Sequence, residues 1–332
     1  MVLINKYLYI KEYFTKSFQR LFLFSKNFFP YLFKNPPFDI QIEITNKCNL
    51  NCIICPRDRV LERGYDDMSF DSFKKIVDQF SNLNSITIAG IGENYLNKDF
   101  LRMIKYAKSI NIMVIFIDNF FFIDKKAASE LIDLKIDRTF CSLDGATKET
   151  YEKIRIGANF GDIISNLKNL FQIKKSKKSN FPEIGFKYVV NKYNLNEINN
   201  FIELINSISK PERTTIIFSK ILGREDLSTE IPPKIIDKAN EKAKNLNILL
   251  QWENIEKKTI NLCSYWLRPY INIQGEVFPC CFMMFKASLG NIFEKNFKEI
   301  WNSQPYKDLR KVIKKGEVPS FCQFCPNFHA KK

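Results

Sequence analysis

The run Cys48-Asn-Leu-Asn-Cys52-Ile-Ile-Cys55 puts three thiols within eight residues. Three thiolates so spaced can wrap one cube-shaped iron–sulfur cluster. A four-iron cluster normally takes four Cys, and no fourth is adjacent here. One iron is left open to an external ligand, which turns an electron carrier into a catalyst. An amino acid with a free amine and carboxylate can chelate such an iron. The competing reading is a structural zinc loop that borrows a distant fourth Cys. The position directly after a strand-like run disfavours it.

A second set of thiols lies toward the C-terminus. Ile271-Asn-Ile-Gln-Gly275-Glu-Val-Phe-Pro-Cys280 reads as a β-hairpin that turns at Gln274-Gly275 and ends in a Cys. Cys263 precedes it, and Cys322-Gln-Phe-Cys325 adds a close pair. Together Cys263, Cys280, Cys322 and Cys325 offer enough thiolate to saturate a second cluster, with a four-cysteine zinc site as the competitor. Cys281 is a spare. Its neighbour Cys280 is preferred as ligand for its spacing from Gly275. Cys141 reads as a buried core thiol.

The chain has 332 residues, nine Cys and a single His, His329. That count nearly excludes mixed Cys/His zinc sites. It also excludes Ser-His or Cys-His catalysis unless His329 serves it. No residue stands out as a catalytic base. Odd-numbered, clustered Cys argue against a secreted disulfide framework and for thiolate ligands in a reducing cytoplasm. The formal charge of +15 fits either an anionic partner or a compositional bias toward Lys, Asn and Ile. Lys residues are scattered, so no nucleic-acid partner is expected.

The elements that must hold these residues follow from the periodicity. Candidate strands are Asp39–Ile44, Ser85–Ala89, Ile112–Ile117, Arg138–Leu143, Glu183–Val190 and Thr214–Phe218. Helical patterns lie between them: Ser69–Phe80, Lys98–Lys108, Lys125–Leu134, Lys148–Ile154 running on to Asp162–Lys174, and Asn196–Ser207. Asp124 and Asp162 sit where N-caps would help. Six strand–helix repeats predict an α/β fold, a partial (β/α)6 TIM-like barrel with ligands beyond its C-terminal strand ends. Four segments are expected: an aromatic, basic helical leader at 1–36, the barrel at 37–222, a helical linker at 223–258, and a small Cys-rich module at 259–332. Phe14, Phe18, Phe22 and Phe29 recur at helical spacing in the leader. Packing on the protein's own body is expected there ahead of peripheral membrane contact. No apolar run in it is long enough to span a bilayer, and no signal peptide is expected.

The C-x3-C-x2-C spacing and its context, Ile44-Thr45-Asn46-Lys47-Cys48-Asn49-Leu50, resemble the radical S-adenosylmethionine (radical SAM) superfamily. Ile54 stands where that family usually has an aromatic residue along the adenine. Gly90-Ile-Gly92-Glu93 resembles its glycine-glycine-glutamate element, whose backbone and carboxylate receive the SAM amino group. Asn94 replaces the usual Pro. Asn119 resembles the Asn of the family's Thr-Asn-Gly turn, with Asp118 and Phe120 replacing its neighbours. Ser142-Leu-Asp144-Gly145, followed by Arg155, resembles the strand end that contacts SAM's ribose and carboxylate. Helix capping is the competing role for Ser142 and Asp144, and a surface position for Arg155. The C-terminal Cys set, with Trp266, Leu289-Gly290-Asn291-Ile292 and Ile300-Trp301-Asn302-Ser303, resembles the SPASM/twitch extension. No Cys follows Cys325, so the shorter, twitch-like form with one auxiliary cluster is expected.

The resemblance implies a 4Fe-4S cluster on Cys48, Cys52 and Cys55, SAM, and a second 4Fe-4S cluster. It implies reductive cleavage of SAM to a 5′-deoxyadenosyl radical that takes a hydrogen from a substrate. The second cluster would then accept an electron, giving net oxidation of a small substrate, phosphorylated or sugar-like. A maturase or epimerase acting on a ribosomal peptide is the alternative, and a non-catalytic iron–sulfur electron carrier is the alternative from another class. A flavodoxin or ferredoxin-like electron donor and a cytoplasmic location are expected.

Overall fold

The computed structural model describes residues 37 and 39–322, apart from 60–63, 211, 222–223, 254–264 and 285–287. The leader, Cys263, Cys325 and His329 lie outside the described residues.

Seven strands run parallel: β1 (Asp39–Ile42), β2 (Ser85–Ile88), β3 (Met113–Asp118), β4 (Arg138–Ser142), β5 (Glu183–Val190), β6 (Thr215–Lys220) and β7 (Leu249–Glu253). Helices return the chain between them: α1 (Phe70–Val77), α2 (Phe100–Ser109), α3 (Lys125–Asp133), α4 (Lys148–Ile154), α5 (Phe160–Ser176), α6 (Ile198–Ser209) and α7 (Pro233–Asn245). Two short strands, β8 (Tyr270–Ile271) and β9 (Val277–Phe278), extend the sheet, followed by α8 (Phe297–Trp301) and α9 (Gln304–Lys314). The order is β7-β6-β5-β4-β3-β2-β1-β8-β9. β1 and β7 do not pair, so the sheet is a partial TIM-like barrel with an open side.

The alternation of each strand decides which face is packed. On β5, Ile184, Phe186, Tyr188 and Val190 are buried. They join Phe201 of α6, with Tyr188 and Phe201 rings 4.5 Å apart. Each such apolar side chain, fully buried, stabilises by about 1.5–3 kcal/mol. The other face of β5 carries Gly185, Lys187 and Val189, and a Cβ on Gly185 would meet the Phe140 ring at 2.5 Å. This inner face is the one left for a ligand.

Asp124 caps α3 as expected, accepting from the Ala127 N–H at 2.8 Å. Asp162 does not cap α5: Asn159 does, and receives the Asp162 N–H at 3.2 Å. The helical pattern from Lys148 to Lys174 is two helices, because Thr147 and Asn159 each start one. The expected partial barrel is there, with one parallel strand more than the six expected. α7 is there, but Leu249–Glu253 follows it as a seventh parallel strand on β6. Asn247, at φ 56, turns the chain out of α7 into that strand.

The hairpin is where the sequence puts it. Gly275 has φ +80 and donates its N–H to the Asn272 carbonyl at 2.9 Å. β8 runs parallel to β1, so the C-terminal module is built onto the barrel's own edge. Trp266 stacks on Trp301 at 6.1 Å beneath it.

Candidate functional site

The Cys48–Cys55 loop leaves the C-terminal end of β1 and is fixed by backbone bonds. Asn51 and Ile53 donate to the Ile156 and Ile154 carbonyls, both at 2.9 Å, and Cys55 donates to the Cys52 carbonyl at 3.0 Å. Arg224 bonds the Ile53 carbonyl. All three Cys are half-buried free thiols. Burial pushes the Cys52 thiol up to about 11, against the pull of Arg155, and raises Cys55 as well. Among the described residues no three Cys, His, Asp or Glu side chains converge closely enough for a single metal ion.

The Gly90–Glu93 turn at the end of β2 packs against that loop. A Cβ on Gly92 would lie 2.2 Å from the Thr45 carbonyl oxygen and 2.8 Å from that of Lys47. Only glycine lets the two backbones meet, and the Glu93 N–H then reaches the Lys47 carbonyl at 2.7 Å. A Cβ on Gly90 would collide with Glu43, whose Oε1 accepts from the Ile91 N–H at 2.9 Å. The first requirement for both glycines is thus packing within the protein. Glu93 is 3% exposed; one oxygen accepts from the Asn119 N–H at 3.0 Å, and Oε1 has no partner. Asn119 in turn donates to the Asn49 side chain at 2.8 Å, which joins the β3 end to the Cys loop.

Asp144 is fully buried beyond β4. It accepts from the Val189 N–H at 2.6 Å and from Arg155 Nε and Nη2 at 2.7 and 2.6 Å. Its carboxylate orients Arg155 and neither it nor Ser142 caps a helix: Thr147 caps α4. Arg155 is 9% exposed, not a surface residue. Burial disfavours its charge, yet the Asp144 carboxylate holds its pKa above the usual value. Ser142, at the β4 end, is half-buried and in register with Lys187. Glu197 ties the turn down by accepting from Ala146 N and Thr147 Oγ1 at 2.7 and 2.9 Å.

The second Cys set is described in part. Cys280 and Cys322 pack with Tyr270, Phe278 and Met283. Cys280 lies within electrostatic reach of Tyr306, whereas Cys281 lies within reach of Arg268, Lys187 and Glu253. Cys281 packs against the same Tyr270, Phe278 and Met283 cluster. Cys141 is fully buried in the main core, as expected.

Lys187 and Glu253, which form an ion pair at 2.9 Å on the inner face, were not singled out from the sequence. A lone Lys in the apolar strand Ile-Gly-Phe-Lys-Tyr-Val was the available signal. Glu253 sits on the unexpected strand.

Residues 42–205 match the family model described as Radical SAM superfamily, and residues 263–326 match an iron-sulfur cluster-binding domain, SPASM. The chain belongs to the radical SAM superfamily. It is 25% identical to a tungsten-containing aldehyde ferredoxin oxidoreductase cofactor-modifying protein of Pyrococcus furiosus, covering 86% of each chain. It is 25% identical to an AdoMet-dependent heme synthase of Methanosarcina barkeri, over 88% of this chain and 89% of the other. A PqqA peptide cyclase of Granulibacter bethesdensis is 23% identical, over 87% and 80%. The fold of this radical SAM protein is that of Streptococcus suis SuiB bound to S-adenosylmethionine (TM-score 0.67, 15% identity, 90% and 77% covered). It is also that of anSMEcpe with bound AdoMet and Cp18Cys peptide (TM-score 0.65, 21% identity, 87% and 86% covered).

The two domains carry 4Fe-4S clusters and SAM. The residues present fit them: three free thiols in one loop and a buried carboxyl oxygen, Glu93 Oε1, left unpaired beside that loop. Among the described residues no helix is long and apolar enough to cross a membrane.

Proposed function

We propose that this radical SAM enzyme carries out a net two-electron oxidation of an organic substrate held on the inner face of β4–β7. The observation that supports this most is the position of the C-terminal module. β8 is hydrogen-bonded to β1, the strand that delivers Cys48, so the module that carries Cys280 is anchored beside the first cysteine loop.

When bound, the first cluster supplies the electron that cleaves SAM. Cys48, Cys52 and Cys55 hold that cluster in this reading. Glu93 and Asn119 face the SAM amino group, Gly90 and Gly92 bring their turn close enough, and Ser142 faces the ribose. Arg155 offers the Nη1 edge that Asp144 does not use to the SAM carboxylate. Cys263, Cys280, Cys322 and Cys325 would hold the second cluster, which would supply an acceptor for the electron left on the substrate. Lys187 and Glu253 meet the substrate's charged groups. The relatives named for a peptide cyclase and a cofactor-modifying protein favour a peptide or cofactor precursor over a sugar phosphate. A formal charge of +15 favours an acidic electron donor of flavodoxin or ferredoxin type.

The test is mass spectrometry of the host's extract treated anaerobically with loaded enzyme, SAM and reductant. A product two hydrogens lighter than its precursor supports oxidation. A product of unchanged mass means epimerisation and overturns it.

A further inference from the structure

The outer wall of the cysteine loop carries an exposed apolar and basic strip that the site's chemistry does not use. Asn51 and Ile53, on either side of Cys52, donate their N–H groups to the Ile156 and Ile154 carbonyls at 2.9 Å, so residues 154–156 run alongside the loop. Ile154 and Arg155 are buried, Arg155 against Asp144, which leaves Ile156 facing out at 48% exposure. Gly157 continues the strip: a Cβ there would lie 3.6 Å from the Asn49 carbonyl oxygen. Tyr193, beyond the end of β5, is exposed and holds the Lys153 ammonium 4.0 Å and the Lys192 ammonium 5.4 Å from its ring centroid. Among the described residues neither ammonium has an ion-pair partner; Lys192 donates to the uncharged Asp226 carbonyl at 3.1 Å. Nearby carboxylates are engaged: Asp226 by Arg224, Glu152 by the Phe160 N–H at 3.0 Å, and Glu197 by Ala146, Thr147 and Thr150. Glu149, one turn before Lys153 on α4, is an exposed carboxylate that remains.

We propose that this strip is the docking surface for a small acidic electron-carrier protein, with Ile156 and Tyr193 as its apolar centre and Lys153 and Lys192 as the charges that meet the carrier's carboxylates. This rests on the radical SAM reading of the site, which requires one electron from outside for each cleavage. The carrier is oxidised by that one electron, and no bond or proton moves. Electron transfer weakens steeply with distance, and this strip is hydrogen-bonded directly to the residues that flank Cys52. Arg155 points away from it toward Asp144, so a docked carrier leaves the SAM-facing side of the loop open. The formal charge of +15 attracts an acidic partner at long range, and the two uncompensated ammonium groups direct it to the loop. An apolar centre flanked by charge suits a brief encounter in which electrostatics sets the rate of association more than the affinity.

The test uses the full chain, anaerobically reconstituted, with reduced flavodoxin and reduced ferredoxin as the carriers. Stopped-flow reoxidation of each carrier reads electron transfer, and carbodiimide crosslinking mapped by mass spectrometry reads contact. Carrier carboxylates should crosslink to Lys153 and Lys192. Lys153→Glu combined with Lys192→Glu should slow carrier reoxidation at low salt by at least about tenfold, and the deficit should shrink in about 0.5 M salt. Formation of 5′-deoxyadenosine driven by dithionite, which needs no docking, should stay within about twofold of wild type. Lys244→Glu, an exposed reversal in the last turn of α7 at the other end of the strands, should behave as wild type. Wild-type carrier rates in the double variant would overturn the proposal. So would crosslinks that miss both lysines, an equal loss in Lys244→Glu, or a wild type that neither carrier reduces. If the double reversal does not fold, Lys153→Gln combined with Lys192→Gln carries the test, with an expected loss of about threefold. A wild type that crosslinks to the carriers through these lysines but forms no 5′-deoxyadenosine with dithionite would instead contradict the radical SAM reading.

Discussion

Gly92→Ala is the sharpest test of how the fold places the cysteine loop. An alanine Cβ there would sit 2.2 Å from the Thr45 carbonyl oxygen, 2.7 Å from its carbon and 2.8 Å from the Lys47 oxygen. All three are backbone atoms, so no side chain can swing away. The Thr45 oxygen must retreat by roughly 0.8 Å to reach 3.0 Å, the limit that real contacts respect. Overpacking of this kind costs about 1–3 kcal/mol. The retreat also stretches the 2.7 Å bond from Glu93 N to Lys47 O, a further loss of about 1 kcal/mol. The expected destabilisation is therefore about 2–4 kcal/mol. The displaced residues immediately precede Cys48, so cluster loading should fall as well. The assays are denaturant unfolding and iron content of the first site after anaerobic reconstitution. Wild-type stability together with wild-type iron content would refute this account of Gly92.

The other predictions are as follows. Burial and the neighbouring Asp118 carboxyl raise the Glu93 pKa well above the ordinary carboxylate range. In wild type that costs stability as pH rises above the unfolded carboxyl's pKa, up to the folded one. Glu93→Gln removes the cost, so its stability advantage in unfolding without SAM should widen as pH rises above the ordinary carboxylate range; a constant or narrowing gap would contradict it. Cys280→Ser should lower iron from about eight toward about four atoms per chain, while Cys281→Ser keeps about eight; the reverse would exchange their roles. Lys187→Met leaves the half-buried Glu253 unpaired and should cost about 1 kcal/mol or less in unfolding. It should abolish substrate turnover while SAM cleavage without substrate persists.

Much of the barrel was legible because its first six strands are short, apolar and flanked by amphipathic helices. β7 was not. Leu249–Glu253 is only half-buried and closes the sheet's edge, so it lacks the buried alternation that marks β5. The thiol spacing was local and readable. The site's electrostatics were not, because they depend on register. Asp144 meets Arg155 only after α4 has folded back, and Glu93 meets the Asn119 N–H only because β2 and β3 lie side by side. The sequence pointed to Gly90 and Gly92 as a cofactor contact. Their tightest neighbours are Glu43 and Thr45, which only coordinates could reveal.

The most direct test is 5′-deoxyadenosine formation by the anaerobically reconstituted full chain with SAM and dithionite. Wild type should form it, and Cys52→Ser should not. Undiminished formation by Cys52→Ser, or zinc in the wild-type loop in place of iron, would contradict the account.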